Sequence, residues 1–188
     1  MKSLSTIAAC FTTALALASP CLAAAADKAA EQAKIRTATQ SAIDKFYKEK
    51  PSIKGEVQAA PGYAVFTTYG VTLLVGGSGG HGLAHDAASK KEVFMHMAQA
   101  SAGIEAGISQ KEMLIVFKSR KALQNFVDKG WEFGGQGNIS AGAAGHTAGG
   151  GSGVQEISEA TTYTFTKNGL AVGVGLAGTK FWKDKDLN

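Results

Sequence analysis

The sequence predicts an α+β protein: an N-terminal amphipathic helix, then a Gly-rich, mainly antiparallel β domain, sandwich or barrel-like, with one further short helix. Three observations predict this class. Apolar residues recur at helical spacing over residues 27–50. Short apolar runs punctuated by glycine follow Pro61. Near the C-terminus Asn168-Gly169, a type I′ turn signal, separates two alternating segments. A chain of 188 residues is long enough for one domain with a short appendage.

Residues 1–26 are expected to be a cleaved signal peptide. Lys2 precedes an apolar run from residue 4 to residue 18, and small residues follow from 23 to 26, which is the order of a secretory signal. A retained membrane anchor is the alternative, because the uncharged stretch is long enough to span a bilayer. The Ala, Thr and Ser content and Pro20 favour cleavage, before Ala26 or Asp27. The mature protein is therefore expected to be periplasmic or secreted.

Cleavage at this place removes both cysteines, Cys10 and Cys21, and excludes disulfides, thiol chemistry and cysteine-based metal sites from the mature chain. The formal charge of +4 falls by one, to about +3, with the loss of Lys2. A charge this small permits an anionic partner without requiring one, and it gives no reason to expect nucleic acid as a partner.

Residues 27–57 form the expected N-terminal helix and its connection to the main domain. The helix is predicted for residues 27–50, and Pro51 is predicted to end it. Its apolar face packs on the rest of the domain or lies on a membrane surface, where Phe46 and Tyr47 would enter the interface. The residues of this face are Ile35, Ala38, Ala42, Ile43, Phe46 and Tyr47.

Residues 58–188 contain the predicted strands and the second helix. Strands are expected at residues 63–69, 71–75, 82–87, 92–98, 102–108 and 113–118, followed by the hairpin strands 161–167 and 170–176. Ser119 is the candidate N-cap of the second helix and Gly130 its C-cap. Residues 134–153 are almost all small or polar. They are compatible with a mobile loop or a Gly-rich strand pair, and the first part is predicted to be strand.

The sequence contains no apparent catalytic or cofactor motif. His81, His85 and His96 lie on neighbouring predicted strands, but no cysteine or carboxylate joins them at a metal-like spacing. We therefore expect polar or half-buried structural histidines on strands and no metal site. The Gly-rich runs lack the phosphate-loop pattern, and no G-x-S-x-G motif is present. An enzyme is not expected, and a hydrolase using His81 or His85 would need a carboxylate beside them.

Two basic groups are candidate anion sites. The first lies at the end of the N-terminal helix and comprises Lys45, Lys48, Lys50 and Lys54. The second lies at a strand-to-helix junction and comprises Lys118, Ser119, Arg120 and Lys121. The junction is the better candidate, because the hydroxyl and the amides of a helix N-terminus could assist Arg120 in holding a phosphate. The alternative for either group, and the more common outcome for such lysines and arginines, is an ordinary solvated surface.

From residue 58 onward the sequence resembles a SYLF domain. The matching segments occur in the family's order: APGYAVF at 60–66, VGGSGGHG at 75–82, QASAGIEAG at 99–107, EMLIVF at 112–117 with KALQNF at 121–126, GWEFGGQ at 130–136 and YTFTKNGLAVGVGLAGTKFW at 163–182. Each segment alone is weak, but six in order are specific. The ending KFWKDKDLN at 180–188 resembles the exported bacterial subgroup.

The resemblance implies a domain that binds phospholipid head groups, which are phosphoinositides in the eukaryotic members. Some of those members also bind actin, but an exported protein meets no actin in its own compartment. The family's lipid-binding helix is basic, whereas the helix at residues 27–50 also carries acidic residues. The expected function is thus non-enzymatic binding of anionic phospholipid at a membrane surface. The alternative is a structural or protein-interaction module of the envelope, with an envelope protein as partner.

Overall fold

A computed structural model describes residues 20–73, 75–102, 107–133, 139–140, 159–166, 169–172, 176 and 178–188. The helices are α1 (Pro20–Glu49), α2 (Ser52–Ala59) and α3 (Arg120–Lys129). The strands are β1 (Gly62–Leu73), β2 (Val75–Asp86), β3 (Glu92–Ala102), β4 (Gly107–Phe117), β5 (Trp131–Phe133), β6 (Ile139–Ser140), β7 (Ala160–Thr166), β8 (Gly169–Val172) and β9 (Thr179–Lys183). This content confirms the predicted α+β class. Within the described helices, no stretch is long and apolar enough to cross a membrane.

The described strands form one sheet in the order β6-β5-β9-β3-β2-β1-β4-β7-β8. Every neighbouring pair is antiparallel, as the sequence predicts. The C-terminal strand β9 is inserted between β3 and β5, far from its neighbours in the sequence. This insertion brings the last residues of the chain beside the middle of the sheet.

The sheet curls around α3. In the strand order, β5 is the fifth neighbour from β4. In a flat sheet the two strands would therefore lie roughly 24 Å apart. The rings of Phe117 on β4 and Trp131 on β5 nevertheless lie 5.6 Å apart. Both pack on Phe126 of α3, at centroid distances of 5.1 Å and 5.0 Å. Of the two predicted arrangements, the barrel-like one is therefore correct: a half-barrel whose concave face holds α3.

Helices α1 and α2 cover part of the convex face of the sheet. Ala42, Ile43 and Phe46 are buried with Val65 of β1 and Leu114 of β4. The sequence left open whether the apolar face of α1 packs on the domain or lies on a membrane, and the structure shows that it packs on the domain. Phe46 is completely buried, so it is unavailable for membrane contact. Tyr47 is half-buried against the same cluster.

The N-terminal segment differs from the prediction at three places. The structure begins α1 at Pro20, seven residues before Asp27, because the alanine-rich stretch that follows Pro20 has high helix propensity. The helix ends at Glu49, one residue before the predicted end. Beyond Pro51 the predicted connection is largely a second helix, α2, since the φ of −57° at Pro51 already suits a helix start.

The strand predictions locate parts of β1, β2, β3, β4, β7 and β8 and are wrong in several boundaries. A break was expected near Gly70, but β1 continues through it to Leu73. A Cβ atom at residue 70 would lie 2.6 Å from the Cβ of Ser78, so the glycine allows two strands to approach closely and makes no turn. The separate strand expected at 102–108 is instead the end of β3 and the start of β4, with residues 103–106 outside the described part.

The hairpin and helix-cap predictions agree with the structure where it is described. Strands β7 and β8 pair with Thr166 opposite Gly169, while residues 167 and 168 of the predicted turn lie outside the described part. Gly130 ends α3 with a φ of 70°, a conformation that favours glycine. Of residues 134–153, the structure describes Ile139–Ser140, a strand paired with β5.

Candidate functional site

The four residues of the junction between β4 and α3 are exposed: Lys118, Ser119, Arg120 and Lys121. Ser119 has extended backbone angles, and its Oγ accepts the Ala122 N–H at 3.1 Å. This bond confirms Ser119 as the N-cap of α3. The amides of the first helical turn and three cationic side chains thus lie at one exposed end of the sheet, where an anion is electrostatically favoured.

Asp86, at the end of β2, belongs to the same surface. Its Oδ1 accepts the N–H groups of Ala88 and Ser89 at 2.9 Å and 3.0 Å. Its Oδ2 lies 3.3 Å from Nη2 of Arg120. The Ser89 N–H bond, assisted by Ala88 and the Arg120 charge, holds the pKa of Asp86 below its ordinary value. An exposed ion pair of this kind is weak, so a phosphate could compete with Asp86 for the guanidinium.

The structure divides the lysines at the end of α1 into two groups. Lys45 Nζ lies 2.6 Å from Oε1 of Glu112, and Lys50 Nζ lies 5.2 Å from the ring centroid of Tyr163. Both side chains therefore contact their own domain. Lys48 and Lys54 are exposed. Of the four predicted lysines, two are therefore held in contacts with the domain and two extend into solvent.

A second group of polar side chains crosses the convex face beside α1. Strand register places His81 of β2 opposite His96 of β3, and His96 opposite Trp182 of β9. Asp184 follows β9, and its Oδ2 lies 2.9 Å from Nε2 of His96. No carboxylate lies near these histidines at a metal-like spacing in the sequence, but the fold brings one to them from a distant segment. No sequence spacing could have shown this, because the contact depends on where β9 enters the sheet.

His85, the other candidate histidine on β2, lies apart from this group. Its ring stacks on Tyr63 with a centroid distance of 5.2 Å. His81 and His85 share a face of β2, as the sequence predicts. Their side chains nevertheless have different neighbours, and only His81 approaches His96, with a ring-centroid distance of 4.8 Å.

Two large exposed hydrophobic side chains stand out among the described residues. Tyr69 on β1 is 61% exposed and Trp182 on β9 is 38% exposed. The pairing of Trp182 with His96, His81 and Thr67 places both aromatic residues on the convex face. Neither residue was a candidate site residue from the sequence. The alternation of side chains along a strand could have identified Tyr69, since it places Tyr69 on the opposite face of β1 from the buried Phe66.

A cleft of about 640 Å³ opens between α1, α3 and the end of the sheet. Arg36 and Glu92 line it and form an ion pair at 2.6 Å. Asp86 connects it to the β4–α3 junction, and Leu123 supplies an apolar wall. The cleft carries both signs of charge, so its lining does not select an anion by itself.

Comparison with known proteins gives two matches. Residues 98–188 match the family model Ysc84, described as Las17-binding protein actin regulator. The chain is 32% identical over 168 residues to Beta cell expansion factor A of Aeromonas veronii, an alignment covering 85% of this chain and 60% of that protein. The chain thus spans about three fifths of the length of this curated relative.

These matches confirm the resemblance stated from the sequence. The family-matched region includes the β4–α3 junction and runs through β9 to the C-terminus. The SYLF family is known as a family of non-enzymatic binding domains, lipid-binding or actin-regulator-like. Residues 98–188 of this protein therefore belong to the SYLF domain family.

Proposed function

We propose that this protein binds anionic phospholipid head groups at a membrane surface, without catalysis. Membership of the SYLF family is the observation that carries the proposal. The geometry supports the β4–α3 junction as the contact, since it presents Lys118, Arg120 and Lys121 on an exposed surface beside a helix N-terminus. Arg120 would exchange its exposed contact with Asp86 for the phosphate.

The proposed binding is moderate in strength and sensitive to salt. Each basic residue near an anionic surface contributes about 1 kcal/mol, so the three cations of the junction supply about 3 kcal/mol. Screening at higher ionic strength removes most of this energy from exposed charges. Lys48 and Lys54, exposed near the end of α1, form a second cationic surface that the experiment must separate from the junction.

Vesicle co-sedimentation tests the proposal. The protein is mixed with neutral vesicles and with vesicles containing anionic phospholipid, at low and at high salt. The junction variant carries Lys118→Glu, Arg120→Glu and Lys121→Glu, and a second variant carries Lys48→Glu and Lys54→Glu. We expect binding that requires anionic lipid, weakens with salt, and falls at least tenfold in the junction variant.

The matched control reverses three exposed lysines elsewhere: Lys34→Glu, Lys129→Glu and Lys180→Glu. It changes the net charge as much as the junction variant does, so a loss confined to the junction variant identifies the site. A loss confined to the Lys48/Lys54 variant would move the site to α1. Absence of binding to anionic vesicles at low salt would refute the lipid proposal.

An envelope protein-interaction module is the second candidate function. Tyr69 and Trp182 are exposed on the convex face, together with Gly77 and Gly79 of β2, and this exposed part of the face is suited to contact with another protein. The residue opposite Tyr69 on β4, Gln110, is exposed as well. Salt-insensitive association with an envelope protein, lost in the Tyr69→Ser/Trp182→Ser variant, would favour this function over lipid binding.

The proposal includes export. Residues 1–26 would be removed as a signal peptide, and the mature protein would act in the periplasm or outside the cell. Cleavage before Ala26 or Asp27 would shorten α1 at its N-terminal end and leave its buried residues, from Ile35 onward, in place. Intact-mass measurement after expression in an export-competent bacterium tests this, and a mass that retains residues 1–26 would contradict it.

A further inference from the structure

We propose that His81, His96 and Asp184 bind one divalent first-row transition metal ion, with Zn²⁺ as the reference ion. This inference goes beyond head-group binding and does not rest on it. The ligand atoms of the three side chains lie within 4.8 Å of one another. His81 lies on β2, His96 on β3 and Asp184 in the turn after β9. These three strands are neighbours in the sheet, so the three side chains come together only when the sheet folds.

The spacing suits a metal ion after a small movement. Zinc binds imidazole nitrogen and carboxylate oxygen at about 2.0–2.2 Å, which places tetrahedral ligand atoms roughly 3.4 Å apart. His96 Nε2 and Asp184 Oδ2 are 2.9 Å apart, close to that separation. His81 is the ligand that must move toward the other two, and it is exposed and able to rotate.

Two of the three ligands are already held in place by outer contacts. The Asp184 side chain is 5% exposed, and its Oδ1 accepts the N–H groups of Asp186 and Leu187 at 2.8 Å and 2.9 Å. These bonds direct Oδ2 toward His96. The indole of Trp182 stacks on the His96 ring at a centroid distance of 5.4 Å and an interplanar angle of 29°. Orientation of ligands by such contacts is typical of protein metal sites.

The ligand set determines the class of ion. Two imidazoles and one carboxylate suit Zn²⁺ and its transition-metal neighbours, whereas Mg²⁺ and Ca²⁺ prefer oxygen ligands throughout. Three protein ligands leave at least one coordination position for water or an anion. The competing interpretation is a hydrogen-bonded His96–Asp184 pair that His81 only neighbours, and in that arrangement His81 has no part in binding.

Calorimetric titration of the chelator-treated full chain with ZnCl₂ and with MgCl₂ tests the proposal. We expect one Zn²⁺ per chain, no comparable Mg²⁺ binding, and at least tenfold weaker Zn²⁺ binding in each of His81→Ala, His96→Ala and Asp184→Asn. Asn retains the oxygen that accepts the two N–H groups, so the last variant preserves the turn. His85→Ala is the matched control, because this histidine lies on the same strand and face, and it should bind Zn²⁺ as the unmodified chain does.

Co²⁺ substitution gives a second readout. Absorption bands of Co²⁺ in the visible region should appear in the unmodified chain and in His85→Ala, and should be lost in His81→Ala, whose exposed position leaves the fold intact. Absence of stoichiometric Zn²⁺ binding would overturn the proposal. Undiminished binding in His81→Ala would also overturn it, in favour of the His96–Asp184 pair alone or of a site elsewhere.

Discussion

The Nζ atom of Lys45 lies 2.6 Å from Oε1 of Glu112 and joins α1 to strand β4 across the convex face of the sheet. The Glu112 side chain is 9% exposed, and its Oε2 atom has no hydrogen-bond partner among the described residues. Lys45 also lies 5.7 Å from the ring centroid of Phe165. A lysine that was a candidate lipid contact in the sequence therefore neutralises a buried carboxylate in the structure.

Replacement of Lys45 by Met should lower the free energy of unfolding by about 1–3 kcal/mol, because Glu112 would remain buried without its hydrogen-bonded counter-charge. The double variant Lys45→Met/Glu112→Gln should recover part of this loss, since the unpaired charge is gone. Urea unfolding measures both values. A Lys45→Met variant of unchanged stability but reduced binding to anionic vesicles would show that Lys45 is a lipid ligand instead.

Phe126 is the centre of the concave core, with the rings of Phe66, Phe117, Trp131 and Phe181 around it. Phe126→Ala should destabilise the protein by about 3–5 kcal/mol, because the cavity would lie where both arms of the curled sheet meet. Gln124→Ala, on the exposed side of the same helix, should change stability by no more than about 0.5 kcal/mol. Chemical denaturation of the two variants gives the comparison, and equal effects would contradict the position of Phe126.

Two substitutions of Ser119 distinguish the structural role of the junction from its proposed role in lipid binding. Ser119→Ala should cost about 1 kcal/mol of stability, because the Ala122 N–H loses its acceptor. Ser119→Asp should retain the cap and place a negative charge among the cations of the junction. We therefore expect this variant to have near-normal thermal stability and weaker vesicle binding. Normal vesicle binding by Ser119→Asp would place the lipid contact away from the junction.

Asp86 should contribute a pH-dependent part of the stability. Its pKa is lower in the folded state than its ordinary value, chiefly because of the Ser89 N–H bond. The unfolded chain therefore takes up the proton first as the pH falls. The stabilisation is complete above the ordinary pKa of about 4 and is lost progressively as the pH falls from there through the lower folded-state pKa. Asp86→Asn should be less stable than the unmodified chain near neutral pH.

Thermal unfolding of both proteins across the acid range measures this effect. The difference in stability between Asp86→Asn and the unmodified chain should shrink as the pH falls through the folded-state pKa of Asp86. A difference that stays constant with pH would show that the carboxylate charge has no part in it.

Local sequence patterns determined much of the secondary structure. Helical periodicity identified the main part of α1, Ser119 and Gly130 marked the two ends of α3, and Asn168-Gly169 marked the β7–β8 hairpin. These signals act over a few residues, through helical faces, capping bonds and turn conformations, so they can be read from one sequence. The antiparallel α+β class followed from the same patterns.

Only the tertiary structure decided which distant residues meet. The insertion of β9 between β3 and β5 brings Asp184 to His96, and the curl of the sheet brings Phe117 to Trp131. The packing of α1 on the convex face pairs Lys45 with Glu112. Strand order, register and curvature arise from the packing of the whole chain, and local periodicity carries no information about them. The amino-acid sequence by itself thus determined α1, α3, the β7–β8 hairpin and parts of the other strands, whereas three-dimensional packing decided the composition of each site.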